Sequence, residues 1–363
     1  MRYRVAVKSY QLAFRHPLRT AHGLWAEREG VWVRLEDEAG RRGCGEAAPV
    51  VGFGPDTLST VTAQLRQLGD EANDEQLEEL MAAGGGVGFA VASALRELGD
   101  ADQDSRVGPD YLSVAALLPA GRAALRAVAS RVELGFQTFK WKVGVGDPAD
   151  ERSLLDDLLA ELPEGSRLRL DANGACDRRE TERWLNLCAE REPIDYVEQP
   201  IAPEMRGADD VLLGLAGDYP TTLALDESVV GEADLARWAD LGWPGVFVIK
   251  PALWGDPGRL LAMVKRQALD VVISTALETT IGAKAVLRTA FELGSDKRPL
   301  GIGVWPLFHE SWANGPTAMP FVQRRDMENL DTETAWRALP GGVCAATGRS
   351  GSGRFSGECA GGD

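Results

Sequence analysis

The sequence predicts an α/β protein, a (β/α)8-type barrel preceded by an N-terminal α+β domain. Three observations carry that prediction. From about Tyr111 to residue 306, eight short apolar runs alternate with amphipathic stretches. The alternation repeats every 25–30 residues or so, the length of one roughly 30-residue strand–helix unit. The first hundred residues do not follow that rhythm; they hold two strand-like runs and then helical patterns.

In chain order, RYRVAVKSYQLAF and VWVRLEDEAGRRGCGEAAP read as strands, the second with its own turn at Glu38–Gly40. Helical patterns follow at Pro55–Leu68, Glu75–Ala82 and Phe89–Leu98. The eight runs are YLSVAALL, TFKWKVGV, RLRLDANG, IDYVEQPI, TTLALDES, GVFVIKPA, DVVISTAL and PLGIGVWP. Between them lie stretches such as ERSLLDDLLAEL, ETERWLNLCAER, ADLARWADLG and PGRLLAMVKRQA, apolar on one helical face. A doubly wound open sheet needs no count of eight, and no GxGxxG or GxxxxGK[ST] follows a strand. After Pro306 a helix is expected around Trp312, and FVQRRDMENLDTETAWRALPG is expected to return to the first domain. The expected division is therefore 1–108 as the α+β domain with 318–340 packed back on it, and 109–317 as the barrel. Residues 341–363, Gly/Ser-rich, read as a mobile tail without function.

Composition narrows the function. The 363 residues are 44% hydrophobic and 26% charged, ordinary for a globular protein. A formal charge of -16 and the lack of any basic run argue against a nucleic-acid partner. No apolar run approaches the ~18 residues of a membrane span, so no membrane partner is expected. Five cysteines without CxxC spacing fit reduced thiols, and a cytoplasmic location is expected. The sequence leaves monomer and homo-oligomer open.

The chain has only seven lysines, yet two stand one residue apart in TFKWKVGV. Strand side chains alternate, so Lys140 and Lys142 share a face, roughly 6–7 Å apart along the strand. Two ammonium groups that close disfavour each other's charge. An edge strand with solvent-facing lysines is the plain alternative.

Active groups of a barrel gather at the C-terminal ends of its strands. The third run ends in Asp171 and then Asn173, the fourth in Glu198, the fifth in Asp226 and Glu227, the sixth in Lys250; the seventh turns polar at Ser274 and Thr275. From Lys142 onward these positions recur at steps of 24 to 29 residues, one unit each, so they should stand at equivalent heights around one mouth. Three carboxylates so placed need a cation between them. Oxygen ligands with positions left open favour Mg2+ over zinc. Helix-capping salt bridges are the structural alternative. A small carboxylate substrate on that ion would hold its α-carbon between Lys142 and Lys250. Lys140, by repulsion, would keep Lys142 partly deprotonated as a general base, with Lys250 acting on the opposite face.

These motifs resemble the enolase superfamily. KWK matches its Lys-x-Lys, RLDAN, VEQP and LDES its three metal-ligand sites, and VIKPAL its opposing lysine. The resemblance spans roughly residues 1–340, and its first hundred are similar to the superfamily's capping domain. It implies Lys142 as base, Asp171, Glu198 and Asp226 as Mg2+ ligands (Mn2+ a possible substitute), and Lys250 as second catalytic lysine. It further implies Arg169, Asn173 and Glu227 as supports behind them. A lysine on the sixth strand is similar to the muconate-lactonising subgroup. The mandelate-racemase type would need a seventh-strand histidine, and the only histidines are His16, His22 and His309. His16 and His22 flank PLRTAHG, which looks like a specificity loop, and VVGFGP at 50–55 looks like a second.

Within the superfamily, STALETTIG at 274–282, GEAAP at 45–49 and GIGVWPLF most resemble the o-succinylbenzoate synthase family. That resemblance implies a dehydratase of menaquinone or phylloquinone biosynthesis, acting on 2-succinyl-6-hydroxy-2,4-cyclohexadiene-1-carboxylate. Ser274 and Thr275 would meet the carboxylate region of the substrate. An N-acylamino-acid racemase or dipeptide epimerase is the alternative reading. Epimerases commonly carry an eighth-strand Asp-x-Asp, which GIGVWPLF lacks. A catalytically inert binding barrel is the alternative from another class.

Overall fold

The computed structural model describes residues 1–20, 23–99, 108–294 and 298–339. His22, Cys344, Cys359 and the expected tail lie outside these.

The N-terminal part is a four-stranded antiparallel sheet with three helices on one face. Strands β1 (Arg2–Thr20) and β2 (Gly23–Glu36) form a long hairpin, β3 (Arg42–Ala47) flanks β2, and β4 (Glu71–Asn73) flanks β1. Asp37 makes the β2–β3 turn by accepting from the backbone N–H groups of Ala39 and Arg41. Helices α1 (Leu58–Gln67), α2 (Asp74–Ala83) and α3 (Gly85–Gly99) cover the sheet; Thr57 and Asn73 each close a capping box at the first two. Tyr3, Val5, Val31, Val33 and Leu35 alternate inward against Val87, Ala90, Val91 and Ala94 of α3. The hairpin starts earlier than the sequence indicated: GLWAEREG is strand despite its charges, because both arms extend beyond the sheet's core.

In the barrel, strands β6 (Ala116–Leu118), β7 (Thr138–Lys142), β8 (Arg167–Asp171), β9 (Ile194–Glu198), β10 (Leu223–Leu225), β11 (Val246–Ile249) and β12 (Val271–Ile273) pair in parallel, in chain order. Helices α4 (Ala123–Glu133), α5 (Pro148–Ala160), α6 (Arg178–Ala189), α7 (Ala208–Asp218), α8 (Glu232–Asp240), α9 (Pro257–Gln267) and α10 (Thr280–Leu293) connect them and follow the last. Outward residues such as Phe139, Trp141, Leu168 and Leu170 pack under the helices; Trp141 meets Trp184 edge to face at 6.3 Å. Tyr196, Ala224, Val246, Val248 and Val272 fill the interior.

The end runs differ from expectation. YLSVAALL splits in two: only Ala116–Leu118 joins the barrel, while β5 (Tyr111–Ser113) pairs antiparallel with β13 (Phe321–Gln323). PLGIGVWP narrows to Leu300 and Gly301, which bridge Val114 and Ser274 and so close the ring. Both shortenings have one cause, since the closing contacts depend on neighbours far off in the chain. The helix expected near Trp312 is a single 3-10 turn, Ser311–Ala313. Beyond it, α11 (Arg324–Glu328) leads to α12 (Thr332–Ala338), whose backbone oxygen at Trp336 accepts from Lys8 at 2.7 Å. Glu333 meets Arg34 and Arg42 of the N-terminal sheet, so the returning segment packs there.

Candidate active site

The parallel ladder puts Lys142 opposite Asp171, Asp171 opposite Glu198, and Glu198 opposite Ala224, two residues before Asp226. Lys250 directly follows β11, four strands around the ring from β7 and hence across the mouth. A cavity of about 380 Å³ opens over this rim. Lys140, Lys142, Asp171, Asn173, Asp226, Glu227, Lys250, Ser274 and Thr275 line it from the barrel, and Trp25, Val50, Val51 and Phe53 from the N-terminal part. Leu117, Leu277 and Val304 make much of the remaining wall apolar.

The two lysines of KWK part company. Lys140 Nζ lies 2.9 Å from Asp171 Oδ2 and 2.7 Å from Glu198 Oε1. Burial works against its charge, but the carboxylates of Asp171, Glu198 and Asp226 outweigh it and hold the Lys140 pKa well above the usual lysine value. The mutual lowering expected of two close lysines does not operate on Lys140. Lys142, among the described residues, makes no hydrogen bond or ion pair and faces the cavity. Lys250 pairs with Asp226 and rests 4.2 Å from the centroid of the Phe53 ring.

Among the described residues no three acid, histidine or cysteine side chains stand close enough to form a ready-made metal cage. The ammonium group of Lys140 lies between Asp171 and Glu198, and that of Lys250 against Asp226, where the sequence reading put an ion. The donor set nevertheless fits a hard divalent cation. Glu198 is fully buried, and its Oε2 has no hydrogen-bond partner. Burial first, then the charge of Asp171, pushes its carboxyl above the ordinary range, against the pull of Lys140. Burial and Asp226 push Glu227 up likewise, and its Oε2 is also unpartnered. A cation among these oxygens relieves both the crowding and the orphaned lone pairs.

The expected supports divide. Asn173 donates to Glu227 at 3.0 Å, and its backbone N–H donates to Asp171 Oδ1 at 3.2 Å, so this pair backs the acids. Arg169 does not join them. Its guanidinium turns to the other end of β8, bonding Asp195 at 2.9 Å and the Pro299 carbonyl at 2.8 Å beside the Tyr196 ring. Ser274 donates to the Gly301 carbonyl and Thr275 to Glu278, so each hydroxyl proton is engaged although both residues face the cavity. His16 is exposed and, like His309, does not line the cavity.

Gln199 carries a role the sequence reading did not assign. Held at φ 34, it accepts from the backbone N–H of Asp226 at 2.9 Å and of Ser228 at 3.0 Å, and donates to Ser228 Oγ and the Ile201 carbonyl. It therefore sets the strand end from which Asp226 projects. Its place beside Glu198 is visible in VEQP, but not the backbone it holds.

Family comparisons agree with this geometry. Residues 123–302 match the family model described as enolase C-terminal domain-like, and residues 2–98 match the N-terminal domain of MenC. An o-succinylbenzoate synthase of Thermosynechococcus vestitus is 40% identical over 85% of this chain and 92% of its own. The chain belongs to the o-succinylbenzoate synthase family of the enolase superfamily. A crystal structure of a family member from Thermosynechococcus elongatus, complexed with Mg in its active site, superposes with a TM-score of 0.79 at 37% identity, covering 93% of this chain and all of that one. A hydrophobic dipeptide epimerase of Roseobacter litoralis is more distant from this family member, 28% identical over 65% of the chain and 72% of its own.

Proposed function

We propose that this chain is a magnesium-dependent o-succinylbenzoate synthase in which Lys142 moves the reacting proton. The observation that carries the reading is the facing of Lys142 and Lys250 across one cavity, with Asp171, Glu198 and Asp226 on the arc between. A magnesium ion held by those three carboxylates would supply positive charge to the substrate carboxylate as its α-carbon becomes electron-rich. Lys142 Nζ takes the α-proton of 2-succinyl-6-hydroxy-2,4-cyclohexadiene-1-carboxylate. The ring C–O bond then breaks, and Lys142 returns the same proton to the departing hydroxyl, which leaves as water while the ring becomes aromatic. Lys140, bound to Asp171 and Glu198, keeps a fixed positive charge beside those acids, one residue along the strand's face from Lys142. Lys250 presents its ammonium from the opposite face. Asn173, Glu227 and Gln199 hold the acids in register, Ser274 and Thr275 border the substrate's carboxylates, and the apolar wall keeps water from the ring.

The substrate is a small carboxylate, the step belongs to menaquinone or phylloquinone biosynthesis, and the cytoplasm suits it. No helix among the described residues is long and apolar enough to cross a membrane. The test follows the rise of aromatic absorbance from the cyclohexadiene. Lys142→Ala should lower turnover at least ~10²-fold, the scale of general acid–base catalysis, while Mg2+ binding persists. Unchanged turnover would refute the assignment. Two amines across one cavity also favour a slow 1,1-proton exchange on N-acylamino acids, detectable as deuterium uptake from heavy water.

A further inference from the structure

In GLWAEREG, Arg28 sits between two glutamates and reads as a solvent-facing strand charge. The fold buries it to 1% exposure. A guanidinium has five N–H donors in a rigid plane, and here backbone carbonyls take them all. Nε donates to Leu277 at 3.2 Å, Nη1 to Pro49 at 2.6 Å and Glu29 at 3.3 Å, and Nη2 to Ala276 at 3.1 Å and to Ala48. Its face lies 5.4 Å from the centroid of the Trp25 ring.

Apart from Glu29 on its own strand, these acceptors belong to two distant segments that both run into the cavity wall. Ala48 and Pro49 run directly into Val50, Val51 and Phe53, and Ala276 and Leu277 directly follow Ser274 and Thr275. Leu277 is held at φ 65, a left-handed conformation unfavourable to a leucine. Thr275 Oγ1 accepts from its N–H at 2.8 Å, and Arg28 takes its carbonyl, so the strained residue is gripped from both sides. The Leu277 side chain is part of the cavity wall.

We propose that Arg28 is a positioning residue that sets the substrate-facing wall, locking Trp25, the 50–53 loop and Leu277 into one surface shaped for the ring and succinyl chain. It contacts no reacting atom and acts only through these residues. The inference rests on the cavity being the substrate site. Neither lysine, with three donors at one point, nor glutamine, with two, can bridge both segments in this way.

The test uses full-length Arg28→Lys and Arg28→Ala. It reads KM and kcat for the cyclohexadiene substrate, calorimetric affinity for o-succinylbenzoate in Mg2+, and affinity for Mg2+ itself. Lost wall placement should raise KM and the product Kd at least ~10-fold in both variants, with kcat lowered less than ~3-fold and Mg2+ affinity within ~2-fold. Ethylguanidinium should lower the KM of Arg28→Ala and leave that of Arg28→Lys unchanged. The proposal falls if KM and product affinity stay within ~2-fold of the parent, or if kcat and Mg2+ affinity collapse together with KM. Should Arg28→Ala fail to fold, Arg28→Lys alone decides. A parent protein that neither converts the cyclohexadiene nor binds the product would overturn the functional reading and this one with it. An active parent with indifferent variants overturns this one alone.

Discussion

Lys140 and Lys142 leave one strand on one face, yet their neighbours give them different work. Asp171 and Glu198 claim the first as a permanent cation; the second is left to the cavity. The acids themselves depend on polar groups behind them. The Asn173 side chain donates to Glu227, and its left-handed backbone (φ 43) aims its N–H at Asp171; Asn173→Ala loses the first and disfavours the second, and should weaken Mg2+ binding roughly 10–100-fold, as loss of such partners does at metal sites. Titrating activity with Mg2+ checks this, since saturating metal should recover most of the turnover. The raised carboxyls of Glu198 and Glu227 give a second expectation, for protein stripped by chelator. A carboxyl with a raised pKa binds protons more tightly folded than unfolded, so its contribution is greatest below the ordinary 4.5 and fades as pH rises beyond it. The Lys140 shift acts only near and above its ordinary 10.5 and leaves that window alone. The Tm in chelator should therefore fall between roughly pH 5 and pH 8, and excess Mg2+ should abolish the slope. A Tm that rose over this range would contradict the assignment of those shifts.

At the scale of elements, the tightest fit is strand β3 under helix α3. A Cβ on Gly45 would lie 1.8 Å from the Ala90 carbonyl oxygen, and one on Gly43 2.0 Å from that of Ala94. Both obstacles are backbone, so no rotamer change relieves them. Gly45→Ala should lower stability by about 2 kcal/mol or more, at the upper part of the range for overpacked cores. Gly214→Ala, exposed within α7 with nothing inside 4 Å of the added methyl, should instead raise it by up to ~1 kcal/mol. Urea unfolding of both variants measures the contrast. The same elements explain what could be read in advance. Asp171, Glu198 and Asp226 were legible because each ends an apolar strand one unit after the last, and a parallel ladder carries that spacing into space. Arg169 was not, because alternation fixes its face but not which end of the strand its long side chain follows; Asp195 and the Pro299 carbonyl decide that. Arg28 gave no signal, since four carbonyls from distant segments leave no mark on its own neighbourhood in the chain. The splitting of YLSVAALL was equally hidden, as β13 lies some two hundred residues away.

Across the whole molecule, the barrel supplies charge and the N-terminal part supplies shape. Glu46 joins the two by accepting from Tyr10 on one side and from the N–H groups of Thr279 and Gly282, at the start of α10, on the other. Nothing in that union requires a metal ion. Burial of the β1–β3 face, the helices around the ring and the Arg28 and Glu46 bonds are all made by the chain itself, and Lys140 and Lys250 already pair with Asp171, Glu198 and Asp226 at the mouth. Chelation should therefore abolish turnover while leaving secondary structure and a cooperative thermal transition. Magnesium, binding only the folded mouth, should stabilise the entire molecule by mass action, about 2.7 kcal/mol at a hundredfold excess over its Kd. Circular dichroism and calorimetry in chelator and in graded Mg2+ separate the two effects. Unfolding on chelation would mean that the lysine–carboxylate pairs do not compensate the buried acids, and that the ion holds the barrel mouth together as well as serving its chemistry.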